Sequence, residues 1–267
     1  MSFTKSLRGQ YDVVVDAQGL GRSGFMSLVS GGRRRIGYAD ARELGWVGLN
    51  ERIRVSKSLH AVDRMFELLR GAEIEPVCDL KLYVPGDVEE GWRDWKTRFL
   101  DGGSHVALAP TSRWKTKEWP MDRWVDLARD LVDAGHRIVV LGSSGERSRL
   151  SAFKELGEAV HILAGSGPLA WSMAAVRDAD LVVANDSAML HAAVGFERPL
   201  IGLFGPTDPT LCGPYGRFSD CIRAEGIPPG VHYRDRGLDD GLMRGISLQQ
   251  VVTASRERLN ATAGGLS

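Results

Sequence analysis

The chain has 267 residues, a formal net charge of zero, 43% hydrophobic and 25% charged residues. That suffices for one large or two modest domains with a proper core, and the balanced charge excludes a nucleic-acid protein held by bulk electrostatics. Cys78, Cys212 and Cys221 have no zinc-type spacing and leave an odd count, which fits a reducing, cytoplasmic setting; no apolar run approaches the roughly 18–20 residues of a membrane span, and the N-terminus has no apolar signal core.

In chain order, YDVVV (Tyr11 to Val15) reads as a buried strand and Leu20 to Ser30 as a helix. A short strand, Arg35 to Gly37, follows the turn Gly31-Gly32-Arg33-Arg34-Arg35, and residues 39–57 give no clean period. Ser58 caps a helix over His60 to Leu69; Leu80 to Val84 reads as a strand and Val88 to Phe99 as a helix. Asp101-Gly102-Gly103-Ser104 is the best domain boundary. After it the alternation becomes regular, with strands at His105 to Ala109, Arg137 to Leu141, Val160 to Leu163, Leu181 to Ala184 and Leu200 to Phe204. Helices fall between them at Met121 to Asp133, Glu146 to Leu156, Pro168 to Arg177 and Ala188 to Val194. Strands alternating with helices predict βαβ units and a parallel sheet, hence an α/β fold. Residues 225–245 read as a long loop, and Ser247 to Leu259 as a helix capped by Ser247 with Gln250 three residues on.

Several constellations carry chemistry. Gly19-Leu20-Gly21-Arg22-Ser23-Gly24 matches the G-x-G-x-x-G pattern of nicotinamide and flavin sites. Asp16-Ala17-Gln18 intervenes between strand and glycines, however, and Asp40 comes early for a ribose-binding acid, so a Gly-rich turn is the competing reading. The loop Pro110 to Pro120 leaves a strand's carboxyl end with Thr111, Ser112, Lys115 and Lys117, hydroxyls and cations suited to a diphosphate or to a solvated basic loop. Asp186, Ser187 and Ala188 open a helix whose free amides and positive dipole end suit a phosphate, with His191 one turn on. Glu146 follows a Gly-Ser turn, placed to bind ribose hydroxyls or to complement a helix dipole. Arg33-Arg34-Arg35 meets an anionic acceptor or is a solvated turn.

Together these residues resemble glycosyltransferase family nine, the bacterial heptosyltransferases. Asp16-Ala17-Gln18-Gly19-Leu20 is similar to the family's D-x-Q-G-L, and His60-Ala61-Val62-Asp63-Arg64 to its H-A-V-E/D-R. The Thr-Ser…Lys-x-Trp-Pro loop at 111–120 resembles its donor-phosphate loop, Asp186-Ser187-Ala188-x-x-His191 its D-[ST]-[GA]-x-x-H, and Gly205-Pro206-Thr207-Asp208-Pro209 its G-P-T-D-P. The aspartate-alanine form of the first motif leans toward the members that act first in lipopolysaccharide core assembly. The resemblance implies a GT-B fold, two Rossmann-like domains facing across a cleft: a partial acceptor-side domain at 1–100, a nucleotide-sugar domain at 104–246, and a C-terminal helix and tail at 247–267. It implies inverting, metal-independent transfer with no cofactor, from ADP-heptose or another nucleoside diphosphate sugar to a lipid-linked saccharide. The enzyme would be cytoplasmic, peripheral on the inner membrane, and would bind no nucleic acid.

The implied donor set is Thr111, Ser112, Lys117, Glu146, Asp186, Ser187, Ala188 and His191, and the acceptor side Gln18, Arg33, His60 and Arg64. Members of the family open with a strand and a Gly-Asp loop whose Asp deprotonates the acceptor hydroxyl. This chain begins about one βαβ unit later, which leaves Asp16 as the nearby substitute base and implies an exposed sheet edge. The competing functions are a catalytically impaired nucleotide-sugar-binding protein and an NAD(P)-dependent oxidoreductase built on Gly19 to Gly24.

Overall fold

The computed structural model describes residues 3–101, 103–228, 230–235 and 240–264, so Gly102 of the expected boundary and the last three residues of the expected tail lie outside the described residues. The chain divides into two compact units, Met1–Asp79 and Leu80–Ser267.

The first unit runs α1 (Phe3–Leu7), β1 (Val13–Asp16), α2 (Gly21–Ser30), β2 (Arg34–Tyr38), a 3-10 turn at Gly45–Gly48, β3 (Glu51–Ile53) and α3 (Ala61–Gly71). The strands form a parallel sheet in the order β1-β2-β3, with Val15 opposite Ile36 and Ile36 opposite Glu51. β3 has only three residues, too few for its alternation to show in the sequence. A small core of Ile36, Tyr38, Leu68 and Ala72 joins sheet and α3. β1 pairs on one side only among the described residues, and Val13 and Val15 are 43% and 39% exposed. The expected buried strand is therefore an edge strand with one open face.

The glycines of the G-x-G-x-x-G pattern serve close backbone packing. A Cβ on Gly24 would stand 2.1 Å from the Gly45 carbonyl oxygen, and one on Gly21 would stand 2.6 Å from that of Glu43. Residues 43–45 thus occupy the space into which a dinucleotide backbone would come. Two amides at the start of α2 are also taken, Leu20 N–H by Ser23 Oγ at 3.1 Å and Gly21 N–H by Glu43 Oε2 at 3.3 Å. The nicotinamide reading fails here on sterics.

The second unit contains α4 (Gly86–Leu100), β4 (Val106–Ala109), α5 (Met121–Asp133), β5 (Ile138–Val140), β6 (Val160–Ile162), α6 (Leu169–Arg177), β7 (Leu181–Asn185), α7 (Ala188–Gly195), β8 (Leu200–Phe204), α8 (Pro209–Cys212), β9 (Cys221–Arg223) and α9 (Leu248–Gly264). Its six strands are all parallel in the order β6-β5-β4-β7-β8-β9, the doubly wound arrangement of dinucleotide-binding folds. Both faces are covered, so the strands read as continuous apolar runs. Alternate residues feed two cores. Val106, Leu108, Leu181, Val183, Ile201 and Leu203 meet Trp124, Leu127 and Leu131 of α5 and Val251 of α9. Ala107, Ala109, Val182, Ala184 and Phe204 meet α4, α6 and α7 on the other face.

Three expectations change. The helix before the expected boundary belongs to this unit: Trp92 and Trp95 of α4 stack at 5.1 Å within its second core, and Trp92 Nε1 donates to Asp178 at 2.9 Å. The chain accordingly divides at Asp79/Leu80, not at 101–104. Leu80 to Val84 forms no strand; Leu82 N–H is tied to the Gly195 carbonyl at 2.9 Å. The helix expected from Glu146 to Leu156 is instead two 3-10 segments, Ser144–Glu146 and Ser151–Ala159, the second broken at Gly157 with φ 74°. Ser143 and Glu146 close a capping box around the first short turn, and serine at 143, 144, 148 and 151 is a residue type that favours caps and turns over helix interiors.

Candidate active site

The strand order of the second unit reverses between β4 and β7. The chain leaving β4 runs one way along the sheet and the chain leaving β7 the other, so their carboxyl ends flank a crevice. A cavity of about 450 Å³ occupies that place, a size suited to a nucleotide-class ligand. Thr111, Ser112, Lys117, Glu146, Asp186, Ser187 and Ala188, seven of the eight expected donor residues, line it. Two cations, Arg113 and Lys117, face two carboxylates, Glu146 and Asp186, across the lining. Formal charge therefore does not draw an anion in; aimed hydrogen-bond donors must.

Those donors are held by buried polar bonds. Asn185, fully buried at the end of β7, accepts from Trp119 N–H at 3.1 Å and donates to the Pro110 carbonyl at 2.7 Å, pinning both ends of the loop after β4. Glu118 accepts from Ser112 N–H at 2.9 Å and pairs with Arg149. Trp119 Nε1 donates to the Ile246 carbonyl at 2.9 Å. Lys117, at the end of the loop's 3-10 turn, reaches across to Asp186 Oδ2 at 2.6 Å, with the two side chains only 13% and 10% exposed. Thr207 Oγ1 donates to the same carboxylate oxygen at 2.8 Å.

α7 starts on this crevice with Ser187 as N-cap. Its backbone is extended, at φ −150° and ψ 169°, and its side chain caps no amide. The Ser187 hydroxyl is buried and has no hydrogen-bond partner. A helix beginning without a side-chain cap presents its first amides, and the positive end of its dipole, to whatever fills the cavity. Opposite, Glu146 Oε2 accepts from Ser143 N–H at 2.7 Å and Ser143 Oγ at 2.6 Å. Burial pushes the Glu146 carboxyl up, but hydrogen bonds from Ser143 and Thr111 and the charge of Arg149 outweigh it and hold the group below its ordinary range. Glu146 thus caps its own turn and also lines the cavity.

The remaining expected residues divide. His191 is exposed on α7 and does not line the cavity, since one turn carries it past the rim. In the first unit a cavity of about 410 Å³ at the carboxyl ends of the strands is lined by Gln18 and Arg64, with Arg42 and Lys57. The Arg64 guanidinium lies 4.7 Å from the Tyr38 ring centroid, and its buried Nε has no hydrogen-bond partner. His60 is not in that lining; it is the N-cap of α3, its Nδ1 accepting from Val62 N–H at 3.2 Å. Arg33 also stands apart, its side chain 88% exposed beside Asp12. Asp16 is 4% exposed and accepts three hydrogen bonds: Oδ1 from the Gln18 and Gly19 amides at 3.0 and 2.9 Å, and Oδ2 from Ser23 Oγ at 2.9 Å. Those bonds make it the clasp of the loop after β1.

Sequence reasoning passed over Asn185, Thr207 and Trp114. Thr207 sits in the G-P-T-D-P run and Asn185 immediately before Asp186, so both were marked by position; Trp114 carried no signal beyond its loop. Among the described residues no group of three or more His, Cys, Asp or Glu is arranged to hold a metal ion, and no helix is long and apolar enough to cross a membrane.

A doubly wound sheet with a phosphate-ready helix end at its switch point describes nucleotide-binding α/β proteins in general. The family model of glycosyltransferase family 9 (heptosyltransferase) matches residues 1–236 and narrows the class: the chain belongs to this family of glycosyltransferases and has its GT-B-type α/β fold. It is 29% identical over 230 residues to lipopolysaccharide heptosyltransferase 1 of Escherichia coli O18:K1:H7, covering 84% of this chain and 69% of the relative. It is 28% identical over 236 residues to lipooligosaccharide heptosyltransferase 2 of Haemophilus influenzae, covering 82% and 67%. Among solved structures it is similar to E. coli heptosyltransferase WaaC with ADP, at a TM-score of 0.71 and 25% identity over 96% of this chain and 76% of that one. A family 9 glycosyltransferase of Veillonella parvula shares the fold at a TM-score of 0.75 and 18% identity, covering 97% of this chain and 77% of that one.

Proposed function

We propose that this chain transfers a heptose or related sugar from an ADP-type nucleoside diphosphate donor to a lipopolysaccharide-core or other lipid-linked saccharide, with inversion and without a metal. The observation that carries the reading is the convergence of the uncapped start of α7, the partnerless Ser187 hydroxyl and the Lys117 ammonium on one switch-point cavity. Family membership supports it, as does the likeness to the E. coli heptosyltransferase solved with ADP.

In this reading the diphosphate lies between the Ser187 and Ala188 amides on one side and Thr111, Ser112 and Lys117 on the other, and Glu146 takes the ribose hydroxyls. The bond from the anomeric carbon to the diphosphate oxygen breaks with its electron pair leaving on the diphosphate. The acceptor hydroxyl forms the new bond from the opposite face, and its proton passes to solvent water. Preorganised donors and one cation at the developing charge do the work a divalent ion does elsewhere. Asp186 holds Lys117 in place before the donor arrives. Gln18 and Arg64, with Arg42 and Lys57, form the acceptor side; His191, His60 and Arg33 are left outside both sets, and Asp16 clasps its loop. A lipid-linked acceptor puts the enzyme on the cytoplasmic face of the inner membrane as a peripheral protein.

Titration calorimetry with ADP tests the donor site. Lys117→Ala should weaken binding by about 10–100-fold, the range of a charge-assisted hydrogen bond; unchanged affinity overturns the assignment. The structural bonds on the Asp16 carboxylate favour one second reading, donor binding without turnover, which a transfer assay on the whole chain separates from the first.

A further inference from the structure

Lys117 is held on a second side by a residue far along the chain. Its Nζ lies 4.3 Å from the centroid of the Tyr233 ring, while Asp186 Oδ2 stands 2.6 Å away. Tyr233 comes from the short segment at 230–235, beyond β9, and that segment is anchored at the same turn. The Tyr233 carbonyl accepts from Thr116 Oγ1 at 2.7 Å, and its ring meets Trp114 edge-on at 5.6 Å. The Arg234 guanidinium lies over both rings, 5.1 Å from Tyr233 and 5.6 Å from Trp114. Trp114 and Lys117 line the cavity whereas Tyr233 does not, so Tyr233 acts through its neighbours.

We infer that Tyr233 is a positioning residue for the donor diphosphate, holding the Lys117 ammonium by its ring face. This rests on the donor-site reading above. A ring face attracts a cation without carrying a formal negative charge. A carboxylate restrains Lys117 too, but it competes with the incoming phosphate for the same protons. The ring does not compete, and it limits the freedom that a four-carbon side chain otherwise loses on binding. Asp186 and Tyr233 together fix Nζ from two directions and leave its remaining side for the ligand.

The test compares Tyr233→Phe, which keeps the ring, with Tyr233→Leu, which keeps bulk and loses the π face. Calorimetry with ADP is paired with saturation-transfer NMR on adenosine, and circular dichroism confirms that each variant is folded. Tyr233→Leu should weaken ADP binding by about fivefold to thirtyfold and leave adenosine binding alone, while Tyr233→Phe stays within about twofold of the parent. Equal ADP affinity for Tyr233→Leu and the parent overturns the inference. So does a Phe variant as weak as the Leu variant, or an equal loss for adenosine, which reports a change of cavity shape. In each of those cases the parent's own ADP affinity and its loss in Lys117→Ala stand, so the donor-site reading survives. A parent chain that does not bind ADP removes both.

Discussion

The Lys117–Asp186 pair makes a prediction that separates structural from ligand-directed roles. Asp186→Asn keeps the side chain's shape and its ability to accept from Thr207 but removes the charge that faces Lys117 across 2.6 Å. Breaking a buried pair by neutralising one partner costs about 3–5 kcal/mol, because the other charge is left uncompensated. With 13% and 10% of the two side chains still in contact with solvent, the low end, about 3 kcal/mol, is the appropriate figure. For a unit of this size that corresponds to a fall of about 6–12 °C in melting midpoint. ADP should reverse part of it, since the diphosphate supplies the missing negative charge and no longer shares Lys117 with a carboxylate. Differential scanning fluorimetry with and without ADP therefore gives a lower midpoint and a larger ADP-induced rise in the variant. A midpoint within about 2 °C of the parent, or a smaller rise with ADP, refutes the reasoning.

Burial pushes the His105 imidazole down to about 4, so the fold resists a proton that the unfolded chain takes up near pH 6.5. Stability should be full above pH 6.5 and fall by about 3 kcal/mol as pH drops toward 4; urea midpoints at pH 7.5 and 4.5 measure this, and His105→Phe should flatten the dependence. Gly24→Ala drives a methyl against the Gly45 carbonyl at 2.1 Å and should destabilise the first unit by about 1–3 kcal/mol or more, read by hydrogen exchange confined to that unit. Glu146→Ala should weaken ADP about tenfold and 2′,3′-dideoxy-ADP much less; equal losses would mean that Glu146 serves only its own turn.

Much of this was legible. Doubly covered strands give unbroken apolar runs such as Leu181 to Ala184, and the polar residues that stop them fall at carboxyl ends, where an open α/β sheet binds ligands. The donor loop and the start of α7 were therefore readable from position and residue type alone. What stayed hidden depends on contacts between distant segments. Nothing near Asp16 announces that Ser23 and two amides bond to it, and His60 looks like a ligand until Val62 takes its lone pair. The three residues of β3 and of β9 are too short for a period. The stretch from Glu146 to Leu156 gives way to short 3-10 turns, with Ser143 and Glu146 closing a capping box around the first and Gly157 breaking the second at φ 74°.

The placement of α4 bears on how the sugar-nucleotide half can be isolated. A fragment cut at the Gly-rich turn of residues 101–104 would carry the six-stranded sheet but lose Trp92, Trp95 and Leu100, three buried residues of one of its two cores. It would show a greasy, uncovered face to water and to other copies of itself. A fragment begun near Leu80 brings its own cover. The helix that a reader of the sequence gives to one half works as the lid on the back of the other, and the natural seam for dissection lies some twenty residues before the glycines that advertise it.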